Sequence, residues 1–524
     1  MLGVLCVSLL VVSLDNTILN VAIPDIVRAL HASSADLQWV VDVYAVVFAG
    51  LLLVFGNLGD RVGRKWVLAA GLAVFGSGSA LSAFSGTATH LIAARALMGI
   101  GAAAIMPSTL SVLTNVFTGA EERARAIGIW SGTTGVGVAA GPVIGGWLLA
   151  HFWWGSVFLV NVPICAAGLA LMLWVVPSSK DPAAKRPDLV GAVLSTAGMG
   201  LLLWGIIEAP GRSWTSPLVL AAVCGGLAVL GGFVVWERHV DHPMLELSFF
   251  SSRRFSVAIV AMGLVIFALM GGLFLFTQYL QFSLGYSAFD TGLLISPIAI
   301  VIVVVAPLSI ALDRRIGTKA VVGTGLVLVA VAFAMLAFTS AHARYADAVA
   351  AFTLMGVGTG LAFAPTTEAV MGSVSLERAG VGAATNSASL QIGGATGVAV
   401  LGSLLETRYQ GRLAPLLARY PVPHSVLQLI LGSLGGALAV AGQVGGRLGA
   451  LLASDARAAF VSGMDLAVAV AAVVVGVAAL VVVLALPDRP RPLQAVERRE
   501  PAGEPDRART GSPGSPGVIG GGPT

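Results

Sequence analysis

The chain alternates between long apolar runs and short polar connections. The runs are continuous and about 20 residues long, enough for an α-helix to cross a hydrocarbon core of roughly 30 Å, and about fourteen can be drawn. They are Leu2–Ala22, Leu37–Asn57, Val67–Ser85, Leu91–Leu113, Ala126–Ala150, Val157–Val176, Leu189–Ala209, Pro217–Trp236, Phe255–Thr277, Thr291–Leu312, Thr318–Thr339, Ala346–Thr367, Val381–Leu404 and Val461–Leu486. An outer-membrane barrel would instead show alternating segments of roughly ten residues. The pattern therefore predicts an all-α polytopic membrane protein.

Composition narrows this further. Of the 524 residues, 57% are hydrophobic and only 11% charged, against about 25% charged in a soluble domain. A mean hydropathy of +0.91 excludes a water-soluble core. The net charge of +4 reflects basic loops, not a nucleic-acid surface. The three cysteines, Cys6, Cys165 and Cys224, lie inside apolar runs without metal spacing and read as small buried hydrophobes. No basic lead precedes Leu2 and no small-residue cleavage site follows before Pro24, so a cleaved signal peptide is not expected, and the true start could lie upstream.

Basic residues assign sides. Arg61, Arg64, Lys65, Arg123, Arg125, Lys180, Lys185, Arg186, Arg238, Arg253, Arg254, Arg314, Arg315, Lys319 and Arg378 fall in every second connection, whereas the intervening short ones hold only Arg28, Arg212 and Arg344. The positive-inside rule places the first set, and both termini, in the cytoplasm of a cell bounded by this plasma membrane. The connection 405–457 is then external. Its semi-apolar run Val426–Val440 reads as a packed hairpin or surface helix, with a spanning helix as the alternative. The tail 487–524, rich in Pro, Gly, Arg and Glu, reads as a disordered cytoplasmic segment.

Within the runs, polar groups mark candidate chemistry. Asp15 stands in LDNTILNVAIPDI, in the middle of the first run, where hydrocarbon cannot solvate an ion. Ser13, Asn16, Thr17 and Asn20 share a helical face, with Asp15 about 100° from its edge at Asn16, so the acid and the amides need not meet one ligand. Arg95 is the only arginine deep within a run, beside Met98, Gly99 and Ala102, and needs an anion or carbonyl partners; Asp15 and Asp42 are the candidate anions. Structural roles stand beside these readings: a helix–helix hydrogen bond for Asp15, an interfacial solvated acid for Asp42, solvated helix ends for Glu368 and Glu208.

Glycine patterns mark two further places. Gly56, Gly59 and Gly63 in GNLGDRVGRK predict a tight inter-helix turn with close backbone approach. Asp60 can cap the next helix or pair with a neighbouring arginine, and Arg61, Arg64 and Lys65 add a charge cluster that can latch two halves together, with a merely topogenic basic loop as the alternative. LDRRIGTK at 312–319 echoes this loop after the tenth run. The echo predicts two related six-helix halves, 1–177 and 239–486, with the pair in 178–238 inserted between them. In the fifth run Gly137, Gly141 and Gly145 recur every fourth residue with Pro142 among them, giving a smooth face. Static packing and a sliding contact across the halves are both open on geometry alone.

GNLGDRVGRK resembles the signature loop of the major facilitator superfamily. LDNTILNVAIP resembles the helix-1 motif of its fourteen-helix drug:proton antiporters, LIAARALMGIGAA its helix-4 arginine motif, and GTTGVGVAAGPVIGGW the helix-5 antiporter motif of exporters. FLVNVPI, FTQYLQFSLGYS and GGATGVAVLG extend the similarity over nearly the whole chain. The resemblance implies the major facilitator fold and a role for the helix-5 face between the halves. Where many relatives carry charges in helix 13, this chain has Asn386, Ser387, Leu390 and Gln391, which weakens any case for a doubly charged substrate.

The expected function is proton-coupled export of an amphipathic small molecule by alternating access, by a monomer that needs no cofactor beyond the proton gradient. Asp15, Arg95, Asp42 and Glu368 are the candidates for proton coupling; Asn16, Asn20, Asn386 and Gln391 are those for substrate contact. A facilitator of a nutrient or native metabolite is the first alternative, and the helix-5 motif argues against import. A non-transporting sensor or scaffold is the second, and would have no use for an acid at Asp15. No nucleophile–base set points to an enzyme, and no GxxxxGK[ST] loop points to direct use of ATP.

Overall fold

The computed structural model describes residues 1–117, 119–176, 188–241, 243–337, 345–374, 379–418, 420 and 422–487; within the helices the side chains of a few positions, Asp60 and Arg123 among them, lie outside that set. Lys180, Lys185, Arg186, Arg344, Arg378 and the tail beyond Pro487 also lie outside it. The described secondary structure is helical throughout. In order it comprises α1 (Leu2–Leu30), α2 (Ser34–Val62), α3 (Arg64–Ala83), α4 (Ala88–Val116), α5 (Ala120–His151), α6 (Ser156–Leu159), α7 (Asn161–Val175), α8 (Leu189–Arg212) and α9 (Pro217–His239). Then follow α10 (Arg253–Gln278), α11 (Ala288–Ile316), α12 (Thr318–Leu336), α13 (Tyr345–Met371), α14 (Ala379–Leu417), α15 (His424–Gly432), α16 (Leu434–Val444) and α17 (Gly446–Ala485). Among the described residues thirteen segments, with α6 and α7 as one, are long and apolar enough to cross a bilayer. α5, with 32 residues, has the length for a fourteenth.

Packing follows an internal repeat. α1 packs on α5, α2 on α4 and α3 on α4; α10 packs on α14, α11 on α13 and α12 on α13 in the same way. α3 also meets α7, as α12 meets α17. The two repeats meet where α5 packs on α11 and α2 on α14. The pair α8–α9 is held mainly by its own contacts and by α2 and α14.

The two echoing loops have one backbone solution. α2 runs through Val62 and is broken only at Gly63 (φ 126°, ψ 121°), after which α3 begins. α11 breaks only at Gly317 (φ 88°, ψ 150°), before α12. Positive φ at both positions favours glycine. The amide of Gly63 donates to Gly59 O (3.0 Å) and that of Gly317 to Asp313 O (2.8 Å). The expected three-glycine turn is thus a single-residue break. Gly56 and Gly59 lie within helix and give room to α4: an added Cβ would sit 3.7 Å from Pro107 Cβ and 3.5 Å from Ser108 Oγ.

The connection expected over 405–457 is shorter. α14 continues to Leu417 and α17 starts at Gly446, because residues that favour helix (leucine, arginine, glutamate and glutamine on the α14 side, alanine and leucine on the α17 side) extend the helices past their most apolar stretches. Between them α15 and α16 have 9 and 11 residues, too short to span. They are anchored by Ser34 Oγ to Gly432 O (2.9 Å) and Tyr409 Oη to Ile430 O (2.8 Å). Gly435 lies so close to Val27 and Phe282 that a Cβ would fall 2.5 Å and 2.8 Å from their side chains.

Candidate functional site

Asp15 lies halfway along α1 and has no exposure; Arg95, on α4, is 1% exposed. Arg95 Nη1 donates to Asp15 Oδ2 at 2.5 Å, and its Nε donates to Val40 O of α2 at 3.0 Å. The guanidinium lies 4.3 Å from the centroid of the Tyr44 ring. The other carboxylate oxygen accepts from Asn161 Nδ2 at 3.2 Å. That amide also donates to Ser79 Oγ (3.0 Å), and Ser79 donates to Phe158 O (2.9 Å). Five helices (α1, α2, α3, α4 and α7) therefore meet at one buried ion pair.

Local sequence explains how it is assembled. α4 comes close to α2 because Gly99, one turn beyond Arg95, leaves space where a Cβ would lie 2.8 Å from Tyr44 O. Asn161 stands at the break between α6 and α7, which turns its amide toward Asp15. Asn161 was missed in the sequence. Its only signal was a lone amide in an apolar run, the same cost of burying polar atoms that singles out Asp15. The charges support each other only as a pair; removing either partner of such a buried pair costs about 3–5 kcal/mol.

The remaining candidates are scattered. Asp42 is fully buried on α2 and is not Arg95's anion; neither of its oxygens has a hydrogen-bond partner among the described residues. Glu368 is exposed near the end of α13. Glu208 pairs with Arg212 on α8 (2.9 Å). On α1, Asn16 donates to Val12 O and Asn20 to Asn16 O, at 3.0 and 3.3 Å. On α14, Asn386 is buried with Oδ1 unpartnered among the described residues, and Gln391 is half-buried. Arg61 is exposed, and Lys65 Nζ caps the end of α7 through Leu173 O (2.8 Å), a contact within one repeat. The side chain of Asp60 lies outside the described residues.

The α5 glycine face is turned differently from the implied cross-half contact. Gly137, Gly141 and Gly145 receive Ser13, Thr17 and Ile18 of α1, in the same repeat. A stripe of glycines records only that a helix comes close, not which one. The contact with α11 uses the neighbouring turn. A Cβ on Gly146 would lie 2.7 Å from Phe289 Cα, and one on Gly292 would strike the carbonyl of Pro142. Further contacts between the repeats are Gln281 Nε2 to Val21 O (2.9 Å), from a π-helical turn after α10, and Ser403 Oγ to Gln38 Oε1 (3.2 Å). All lie toward the end opposite the Gly63 and Gly317 loops. Along α11 toward those loops, exposure rises from buried Gly292 through half-buried Ser296 to exposed Val303 and Pro307.

Two related helical repeats, the first holding a buried ion pair, meet where α5 packs on α11 and α2 on α14. A family model described as Major Facilitator Superfamily matches residues 5–398. The chain belongs to that superfamily, a family of transporters and not enzymes, and is a multi-pass membrane protein. It is 36% identical over 485 residues to the multidrug efflux pump LfrA of Mycolicibacterium smegmatis, covering 92% of this chain and 95% of the relative. It is 33% identical over 480 residues to the tetracenomycin C resistance and export protein of Streptomyces glaucescens, covering 91% and 89%. Among solved structures it resembles a bacterial homologue of the human lysosomal transporter Spinster in an inward-facing, unoccupied conformation (TM-score 0.63, 18% identity, 93% of this chain and 96% of that one).

Proposed function

We propose that the protein exports amphipathic small molecules, such as drugs, antibiotics or similar metabolites, across the plasma membrane in exchange for protons. The observation that carries this reading is the Asp15–Arg95 pair, fully buried where five helices of one repeat meet. Protonating Asp15 cancels its charge and frees Arg95, so the two protonation states favour different packings of α1 against α4. A proton drives transport only through such a difference between conformations. The names of the two relatives, a multidrug efflux pump and a resistance and export protein, support export as the direction.

In this reading the Gly63 and Gly317 loops and both termini face the cytoplasm, and the chain works as a monomer. Asn16, Asn20, Asn386 and Gln391 are the proposed substrate contacts, Gly56, Asp60, Arg61, Gly63 and Arg64 form the proposed latch, and Glu368 lies at the cytoplasmic release side. The proton gradient supplies the energy without a cofactor. One proton crossing about 100 mV yields about 2.3 kcal/mol, and each pH unit adds about 1.4 kcal/mol. For a neutral substrate that sustains a gradient of roughly a few hundred-fold.

The test is ethidium uptake into inverted vesicles under an imposed pH gradient. Asp15→Asn should strongly weaken gradient-driven uptake while leaving exchange of ethidium down its own gradient. Driven uptake that persists unchanged in Asp15→Asn removes the pair from the coupling role.

A further inference from the structure

Asp15 and Asp42 are the two acids with zero exposure among the described residues, and their surroundings are opposite. Asp15 has a guanidinium on one oxygen and an amide on the other. Asp42 has neither. It lies about 12 Å into α2, on the face that carries Gln38, Ala45 and Val46. Ala45 and Val46 pack against Leu203 and Ile207 of α8 and Ala395 and Ala399 of α14. Asp42 therefore belongs to a seam of three helices: one from each repeat, and one from the inserted pair.

The seam is polar and incompletely paired. One turn before Asp42, Gln38 is fully buried; its Oε1 accepts from Ser403, while its Nε2 has no partner among the described residues. Gly402 makes room for that amide, since a Cβ there would lie 2.8 Å from Gln38 Cδ. Ser403 Oγ also lies 2.9 Å from Ile206 O of α8. One turn further along α14, Glu406 is 5% exposed; its Oε1 accepts from Gln410 at 2.9 Å and its Oε2 has no partner among the described residues. The charged groups around the seam are Glu406 of α14, Glu208 with its partner Arg212 on α8, Asp36 at the start of α2, and Arg95 of α4, which is held by Asp15 and Val40 O.

An ionised carboxylate in this position would be a buried charge with no donor, a cost that a group avoids by neutralising. Asp15 has a donor for each of its oxygens where Asp42 has none among the described residues, so the closed seam suits a neutral group at Asp42. Asp42 can ionise only when water enters between α2 and α14, which belong to different repeats, so its proton is tied to their separation. Resting on the proton-coupled reading above, we propose that Asp42 is a second proton-carrying site, built by α2, α14 and the inserted helix α8, so that each transport cycle moves two protons. The proton joins an Asp42 oxygen from water when the seam is open on one side, and returns to water when it opens on the other. No other bond changes.

The stoichiometry tests this in inverted vesicles with the membrane potential collapsed. Against a tenfold ethidium gradient, net movement should stop at a pH difference of about 0.5 unit for two protons and about 1 unit for one. The native chain should give the first value and Asp42→Asn the second, with Asp42→Ser as a second acid-free variant should Asn not insert. A value near 1 unit in the native chain, or near 0.5 unit in the acid-free variants, overturns the second site but leaves the export reading intact. A native chain that ignores the pH difference overturns both.

Discussion

At the residue scale Asp15 and Arg95, both buried, form one ion pair although they lie far apart in sequence. Arg95→Ala leaves Asp15 buried and unpaired, so it should destabilise the folded protein by about 3–5 kcal/mol. Adding Asp15→Asn should recover a substantial part of that. Thermal melting in detergent checks both; a double variant no more stable than Arg95→Ala would mean that the two charges do not depend on each other. Asp15 and Arg95 were legible from sequence, because each breaks an apolar run at a cost that only a function or a partner offsets. Which acid pairs with Arg95 was not legible. That depends on the register of α4 against both α1 and α2, set by Gly99 meeting Tyr44 O, and no local pattern encodes it. Asn161, which completes the cage around Asp15, was hidden for a similar reason: a single amide in an apolar run does not say which way the break at Val160 will turn it.

At the element scale the helices were legible and their neighbours were not. Hydrophobic runs located the spans because length and apolarity are local properties. The glycines of GNLGDRVGRK and of α5 predicted close approaches, and these occur, but their partners and conformations came only with the fold. Gly63 alone carries the left-handed break, and the α5 stripe meets α1 and not α11. These roles separate by mutation. Gly63→Val should cost about 1–3 kcal/mol in stability, through backbone strain. Gly56→Ala, which has 3.7 Å of room and sits within helix, should be close to neutral in a melt. Equal losses for the two would contradict a one-residue break. At the contact between repeats, Gly292→Leu would collide with the carbonyl of Pro142. It should hold α5 and α11 apart at that end, seen as increased labelling of a cysteine placed at Phe289. Unchanged labelling would show that the α5–α11 contact is not what closes the seam.

At the scale of the whole unit Met1–Asp488, the repeats make two kinds of contact. α5 on α11 is close-packed backbone, whereas α2 on α14 is a seam containing Gln38, Ser403 and, beside it, Asp42. The first can close or open; the second can close only over groups that are neutral or paired. The hairpin α15–α16 rests on α1 and the π-helical turn after α10, and so bridges both repeats at the closed end. In the proposed mechanism a rocking motion between the repeats links the buried acids to opposite faces of the membrane. The most direct measurement is a spin-label distance across the basic end, between Trp66 of α3 and Ile316 of α11. Both are exposed, and Cys6, Cys165 and Cys224 would be replaced. The account predicts that lowering the pH shifts the native distance distribution, and that Asp15→Asn shows the low-pH distribution already at neutral pH. A pH-dependent shift that is the same with and without the Asp15 carboxyl would contradict it.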